Sequence, residues 1–373
     1  MTLEVDEHQA PKLLNAPGSG QSIHLAYLDG VRGLAALYVL LEHIQLSGLD
    51  LINARALAPG AGTHLQRFAL FLNSSVLGFG HLAVDVFIVL SGYCLMLPVV
   101  TSPDQNLRGG LRAYIARRAW RILPPYYVAL ALALIFAVPN GVINMYSRGD
   151  VITHLLLVHN ANPAWLFSIN PPMWSIAVEW QIYFIFALLL LPVWRAAGNG
   201  AALLVAFVLG LSPIYLLPSS FNIEWSCPWY IGLFAMGMVA ANVSLKRISP
   251  RAWRIPWLMV AALLVMLTGL TFLWQRNPHV HELWVRWFRI ASRGFGWPLD
   301  VLAGAAVACA LLGLTRAQYS ATGAFAQKTL RLLRSRPLAL LGAFSYSLYL
   351  AHAPVTSFVF GRLGRMNLSP GLG

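Results

Sequence analysis

Apolar residues run in blocks near 27–46, 77–100, 122–139, 173–194, 201–217, 227–243, 256–274, 296–314 and 338–360, each bounded by Pro, Gly or charge. About 20 such residues cross a bilayer as a helix. The pattern predicts an all-α, polytopic membrane bundle of about nine transmembrane helices. The stretches between the blocks are short, without an internal repeat or a second soluble domain. The first two dozen residues contain Glu4, Asp6 and Glu7 and no apolar core, which argues against a cleavable secretory signal. Residues 1–24 are expected to form a disordered cytosolic tail, 25–361 the membrane domain and 362–373 a short C-terminal tail.

Composition agrees with the periodicity. Of 373 residues, 58% are hydrophobic and 10% charged, outside the range of soluble domains. The net charge of +13 does not point to nucleic acid, because most basic residues sit in connections where the positive-inside rule expects them. Arg108, Arg112, Arg117, Arg118 and Arg121 follow the second block, Lys246, Arg247, Arg251 and Arg254 the sixth, and Arg316, Lys328, Arg331, Arg334 and Arg336 the eighth. By alternation these lie on one side, which places the N-terminus in the cytoplasm. One segment strains that assignment: HVHELWVRWFRIASR, His279–Arg293, carries arginines on the opposite side. Glu282, Arg286, Arg289 and Arg293 share a helical face, so an interfacial helix is expected there. Cys94, Cys227 and Cys309 lack metal-ligand spacing and read as small core residues.

Candidate chemistry concentrates in Tyr27–Ile44, YLDGVRGLAALYVLLEHI, where ionisable groups occupy both ends of an apolar helix. Arg32 and His43 are eleven positions apart, which returns the helix to within about 20° of one face, about 16 Å further along. Both can line one cavity, with His43 near mid-membrane as a neutral, proton-accepting imidazole. Glu42 lies about 100° round the helix from His43 and is a poor orienting partner; Asp29, one turn from Arg32, pairs with it more naturally. In HLAVDVFIVLSGYCL, Asp85 follows His81 by one turn, and Ser91 and Gly92 permit close helix approach. Asp85 is costly unless it orients a histidine or pairs with an arginine such as Arg32.

In RRAWRILPPYY, Arg118 and Arg121 stand a turn apart, and guanidinium forks hold phosphate. Ser175, Glu179 and Tyr183 form a polar stripe in PPMWSIAVEWQIYF, and Ser345, Tyr349 and His352 repeat the design in FSYSLYLAHAPV. The plain alternative for that second stripe is helix packing with local hydrogen bonds. His154 and His159 lack metal spacing to a carboxylate and read as loop residues.

Taken in order, the basic residue, ten residues and histidine in the first block, VDVFIVLSG, the arginine-x-x-arginine-isoleucine-x-proline run, WSIAVEWQIYF and SYSLYLAH resemble acyltransferase family 3. The resemblance spans most of the chain, with Ile88 where Phe is usual and Ile176 in place of leucine. It implies a membrane O-acyltransferase that takes an acyl group, acetyl by analogy, from acyl-CoA and esterifies a hydroxyl of a carbohydrate or glycosylated acceptor. On that reading Arg118 and Arg121, with Tyr126 as a third, contact acyl-CoA; Arg32 attracts its phosphates or polarises the thioester; His43 is the base; Asp85 and Glu179 complete the catalytic set, and no metal takes part. The family usually has ten spans, whereas only GRLGRMNLSPGLG follows Phe360, so the expectation is either a protein shortened by the last helix or a final helix supplied otherwise. A proton-coupled transporter or flippase using His43, Asp85 and Glu179 is the competing class, and a non-catalytic interaction protein the third.

Overall fold

A computed structural model describes residues 25–55, 77–139, 141–218, 223–245, 255–275, 277–289, 296–320 and 323–365. The expected tail at 1–24 and the last eight residues, 366–373, lie outside them. The described residues form α1 (Tyr27–Arg55), α2 (Gly80–Thr101), α3 (Gly110–Ala137), α4 (Arg148–Leu155), α5 (Met173–Ile185), α6 (Leu191–Leu216), α7 (Tyr230–Leu245), α8 (Trp257–Gln275), α9 (Pro278–Phe288), α10 (Trp297–Ser320), α11 (Ala324–Leu333) and α12 (Arg336–Arg365), with short helical turns between. The expected spans fall on these helices, the fourth crossing from α5 into α6, and the protein is an all-α, multi-pass membrane protein. Seven helical stretches among the described residues are long and apolar enough to cross a membrane. One of them, Met173–Leu216, has 44 residues, length for two crossings. α1 is not among the seven, since Asp29, Arg32, Glu42 and His43 dilute its apolar character.

The boundaries differ where side chains can compensate. The third span, expected from residue 122, belongs to a helix that begins at Gly110; arginine stems let a helix continue into the polar interface. The fourth and fifth spans are one rod through a π turn at Phe186–Leu190, broken at Gly198, whose φ of 79° and ψ of −168° suit glycine alone. Asn199 secures the break by accepting from Trp194 and from Asn242 of α7, both at 2.8 Å. α12 runs past the expected boundary at 361 to Arg365.

α1 lies along α12, α2 along α7, and α8 along α10. The α2–α7 crossing is reciprocal: a Cβ at Gly92 would sit 2.0 Å from the Phe234 carbonyl oxygen, and one at Gly237 2.0 Å from that of Val89. The backbones touch because neither position carries a side chain. α8 is the peripheral helix, with Met259, Leu263, Val265, Met266, Leu270 and Leu273 all exposed, an outer apolar face suited to lipid.

The interfacial segment is shorter than expected. α9 is capped at Asn277, which accepts from the His279 N–H, and ends at Phe288, with Arg289 in the left-handed region at φ 55°. The single arginine face therefore breaks at Arg289, whose guanidinium donates to the Tyr215 carbonyl at 3.2 Å. That carbonyl belongs to the last turn of α6, where a cation complements the helix dipole. Arg293 lies outside the described residues.

Candidate functional site

Five helices converge on Glu179. One carboxylate oxygen accepts from Ser91 of α2 and from Tyr183 of its own α5, the latter at 2.6 Å. Arg32 of α1, Tyr114 of α3 and Tyr346 and Tyr349 of α12 stand within electrostatic range. The stripe Ser175, Glu179, Tyr183 thus faces the bundle interior as its spacing required. One turn from Glu179, Ser175 and Tyr349 share a hydrogen bond of 2.7 Å. Tyr349 lies 5.8 Å, ring to ring, from His352, and His352 lies 4.8 Å from His43 in an edge-on arrangement. A polar path therefore runs between α1, α5 and α12 from Arg32 past Glu179 and Tyr349 to His43. Ser345, expected on that stripe, turns its hydroxyl back to the Gly342 carbonyl of its own helix.

The histidine pair has a defined tautomer. His43 Nδ1 is 2.9 Å from the Val39 carbonyl oxygen, and His352 Nδ1 is 2.6 Å from that of Tyr349. A carbonyl only accepts, so each neutral ring carries its proton on Nδ1 and offers Nε2 as the acceptor. The His352 Nε2 is buried without a hydrogen-bond partner, whereas 34% of the His43 side chain is open. His43 is thus the member a hydroxyl reaches. Pro354 contributes here: it has no N–H for the Leu350 carbonyl one turn back, and Asn170, from the loop before α5, donates to that carbonyl at 3.0 Å. The loop is thereby pinned against α12 beside the histidines.

At the other end of the path Arg32 donates to Asp29 at 3.1 Å, the partner its spacing predicts, and to the Cys94 sulfur at 3.0 Å. Cys94 is therefore more than the packing residue expected. Arg118 stands within electrostatic range of Tyr114 and Tyr183, and its Nε is buried without a partner. Arg121 stands in the same relation to Tyr346, which donates to the Ile122 carbonyl at 3.2 Å. Pro124 and Pro125 remove two intrahelical donors just beyond these arginines. Arg32, Arg118 and Arg121 accordingly gather at one end of the path and His43 at the other.

Two expected site residues stand elsewhere. Asp85 neither pairs with Arg32 nor orients His43; it is fully buried against α7 and α10, close to Asp300 and Tyr230. It stands six positions before Ser91, which turns it to a different face of α2. Tyr126 is fully buried too, its hydroxyl given to the His154 carbonyl at 2.8 Å, so it does not join the two arginines. His154 and His159 are not open loop residues: their rings stack at 3.8 Å and both are fully buried. Burial and the neighbouring His154 push the His159 pKa down to about 3, and burial lowers that of His154.

His352 is the residue whose place in the site periodicity did not settle, since spacing put it on a polar stripe without saying that the stripe meets α1. Asp300, a carboxylate inside an apolar block, carries its own signal in the sequence.

No solved structure matches this chain. Among characterised proteins it is 32% identical over 197 residues to the peptidoglycan O-acetyltransferase OatA of Listeria monocytogenes, covering 49% of this chain and 27% of that one. It is 27% identical over 164 residues to the putative peptidoglycan O-acetyltransferase YrhL of Bacillus subtilis, covering 40% and 24%. Against the O-acetyltransferase OatA of Staphylococcus aureus NCTC 8325 it is 25% identical over 179 residues, covering 45% and 25%. The matches thus span about a quarter of each relative's length. The acyltransferase domain family matches residues 25–370, the region that holds the bundle and the whole path from Arg32 to His43, and the chain belongs to that family, acyltransferase family 3.

Proposed function

We propose that the protein is a membrane O-acyltransferase that moves an acetyl group from acetyl-CoA to a hydroxyl of a cell-envelope carbohydrate. The observation that carries this reading is His43: a partly open imidazole whose Nδ1 proton is committed to Val39, leaving Nε2 to take a hydroxyl proton. The relatives' names supply acetyl and a glycan acceptor as the group and substrate class.

Arg118 and Arg121 hold the phosphates of coenzyme A at their end of the path, where bidentate guanidinium contacts fix orientation as well as charge. Arg32, at the same end, adds its charge to the attraction of those phosphates, and the pantetheine arm reaches inward past Glu179 to carry the thioester to His43. At the far end His43 removes the acceptor proton as the hydroxyl oxygen attacks the thioester carbonyl. Binding energy from the remote phosphates positions the reacting carbon. The basic connections at the Arg118 end make it the cytoplasmic end, with the N-terminus on that side.

The test compares ester-linked acetate on envelope glycans, by mass spectrometry, in cells with the wild type, a deletion or His43→Ala at matched membrane abundance. Both mutants are expected to lose the same acetyl mass. Full acetylation with His43→Ala removes the proposed base; unchanged products after deletion turn the question to transport.

A further inference from the structure

A second line of ionisable groups leads away from His43 and takes no part in the chemistry above. Glu42 approaches His43 to 4.0 Å but is held from the other side, one oxygen accepting from the Gly80 N–H at 3.0 Å. The seat is built for it: a Cβ at Gly80 would stand 1.4 Å from the other Glu42 oxygen. His81, the next residue, lies within electrostatic range of Glu42 and 3.5 Å from Asp300 of α10. The second Asp300 oxygen accepts from the indole N–H of Trp229 at 2.8 Å. From α10 through α2 to α1 the order is carboxylate, imidazole, carboxylate, imidazole.

We propose that Asp300 and His81 are positioning residues that act through Glu42 to supply the counter-charge when His43 takes the acceptor proton, an inference that rests on His43 being the base. In that step the hydroxyl O–H bond breaks and its proton goes to His43 Nε2 while the oxygen bonds to the thioester carbonyl carbon. The C–S bond then breaks, and the thiolate receives the proton from His43. The line carries no net proton; it contributes alternating charge beside an imidazolium formed in a medium of low dielectric, where such charge acts strongly.

The groups facing the line are His352 at the His43 end, Tyr38 and Tyr349 beside Glu42, and Asp85, Tyr230 and Cys227 at the Asp300 end. Asp85 has the Tyr230 hydroxyl beside it, while Asp300 accepts from the Trp229 N–H and faces His81. Val39 occupies the His43 Nδ1 proton, so Glu42 acts through space rather than as a hydrogen-bonding partner.

The full chain in lipid nanodiscs, with its histidine rings labelled with nitrogen-15, allows His43 to be titrated by magnetic resonance without any substrate. Asp300→Asn and His81→Gln are each expected to move the His43 midpoint to lower pH by about one unit, a tenfold loss of proton affinity. Asp300→Glu restores it. In cells at matched abundance Asp300→Asn lowers ester-linked acetate about tenfold. An unmoved midpoint in Asp300→Asn overturns the inference, whatever happens to acetate, because a purely structural carboxylate changes abundance and not the His43 titration. Full acetylation with His43→Ala instead overturns the base assignment, an outcome the titration keeps separate.

Discussion

At His43, Glu179 and Arg32 the proposed chemistry depends on what each polar atom is denied as much as on what it receives. His43 keeps Nε2 because Val39 takes Nδ1; Arg32 is tethered by Asp29 and Cys94. Glu179 takes two hydroxyl donors on one oxygen, which fixes its orientation but leaves its charge for the path. Glu179→Gln preserves an acceptor for Ser91 and Tyr183 while removing that charge. It is expected to fold to wild-type abundance and to lower acetate transfer roughly a hundredfold, about 2.7 kcal/mol of barrier. Ser91→Ala removes one neutral donor and costs on the order of 1 kcal/mol. Ester-linked acetate at matched abundance separates the two, and equal losses would mean that Glu179 serves only to hold the helices. The carboxylate was legible from its place on a polar stripe. The hydroxyl from α2 was not, because Ser91 in its own segment reads only as a small residue.

The connection between α3 and α5 behaves as part of the bundle rather than as a loop. Asn170 reaches the carbonyl freed by Pro354, Tyr126 anchors the His154 backbone, and the stacked histidines are sealed beneath. Both imidazoles titrate in the unfolded chain near 6.5, and the folded pKa of each lies lower. The unfolded state therefore binds more protons in the window below that value. Their contribution to stability is complete above about pH 6.5 and falls as pH drops below it, for His159 down to about 3, with a slope of up to about 1.4 kcal/mol per pH unit for each histidine. Thermal unfolding in nanodiscs is expected to show a midpoint that falls between pH 7.5 and 5, and His159→Gln to flatten that dependence. A variant with the wild-type slope would place the acid sensitivity elsewhere. Sequence spacing argued against a metal reading for these residues but carried no sign of burial, since the apolar run VITHLLLV, 151–158, is too short to read as a span.

Across the whole molecule, the basic groups and the histidine pair are sorted to opposite ends of one path. Arg118 and Arg121 stand with Arg32, and His43 and His352 lie about three helical turns away. Vesicles of known orientation should consume acetyl-CoA only from the face that carries Arg118 and Arg121. Replacing each arginine by alanine should raise the KM for acetyl-CoA roughly tenfold or more, the loss of a charge-assisted contact, with little change in kcat. Consumption from the opposite face, or a fall in kcat at unchanged KM, would remove these arginines from donor binding.

The sequence by itself determined the spans, the crowding of basic residues at one end, and the faces on which Arg32, His43, Glu179 and His352 stand, because helical periodicity and hydrophobic length are local properties of the chain. Only the tertiary structure decided which faces meet. α12 brings His352 to His43, α10 brings Asp300 to His81, and α2 turns Asp85 away from Arg32. Those pairings join residues far apart in the chain and are set by close crossings such as Gly92 on Phe234, where packing between helices chooses the neighbour and no local pattern names it.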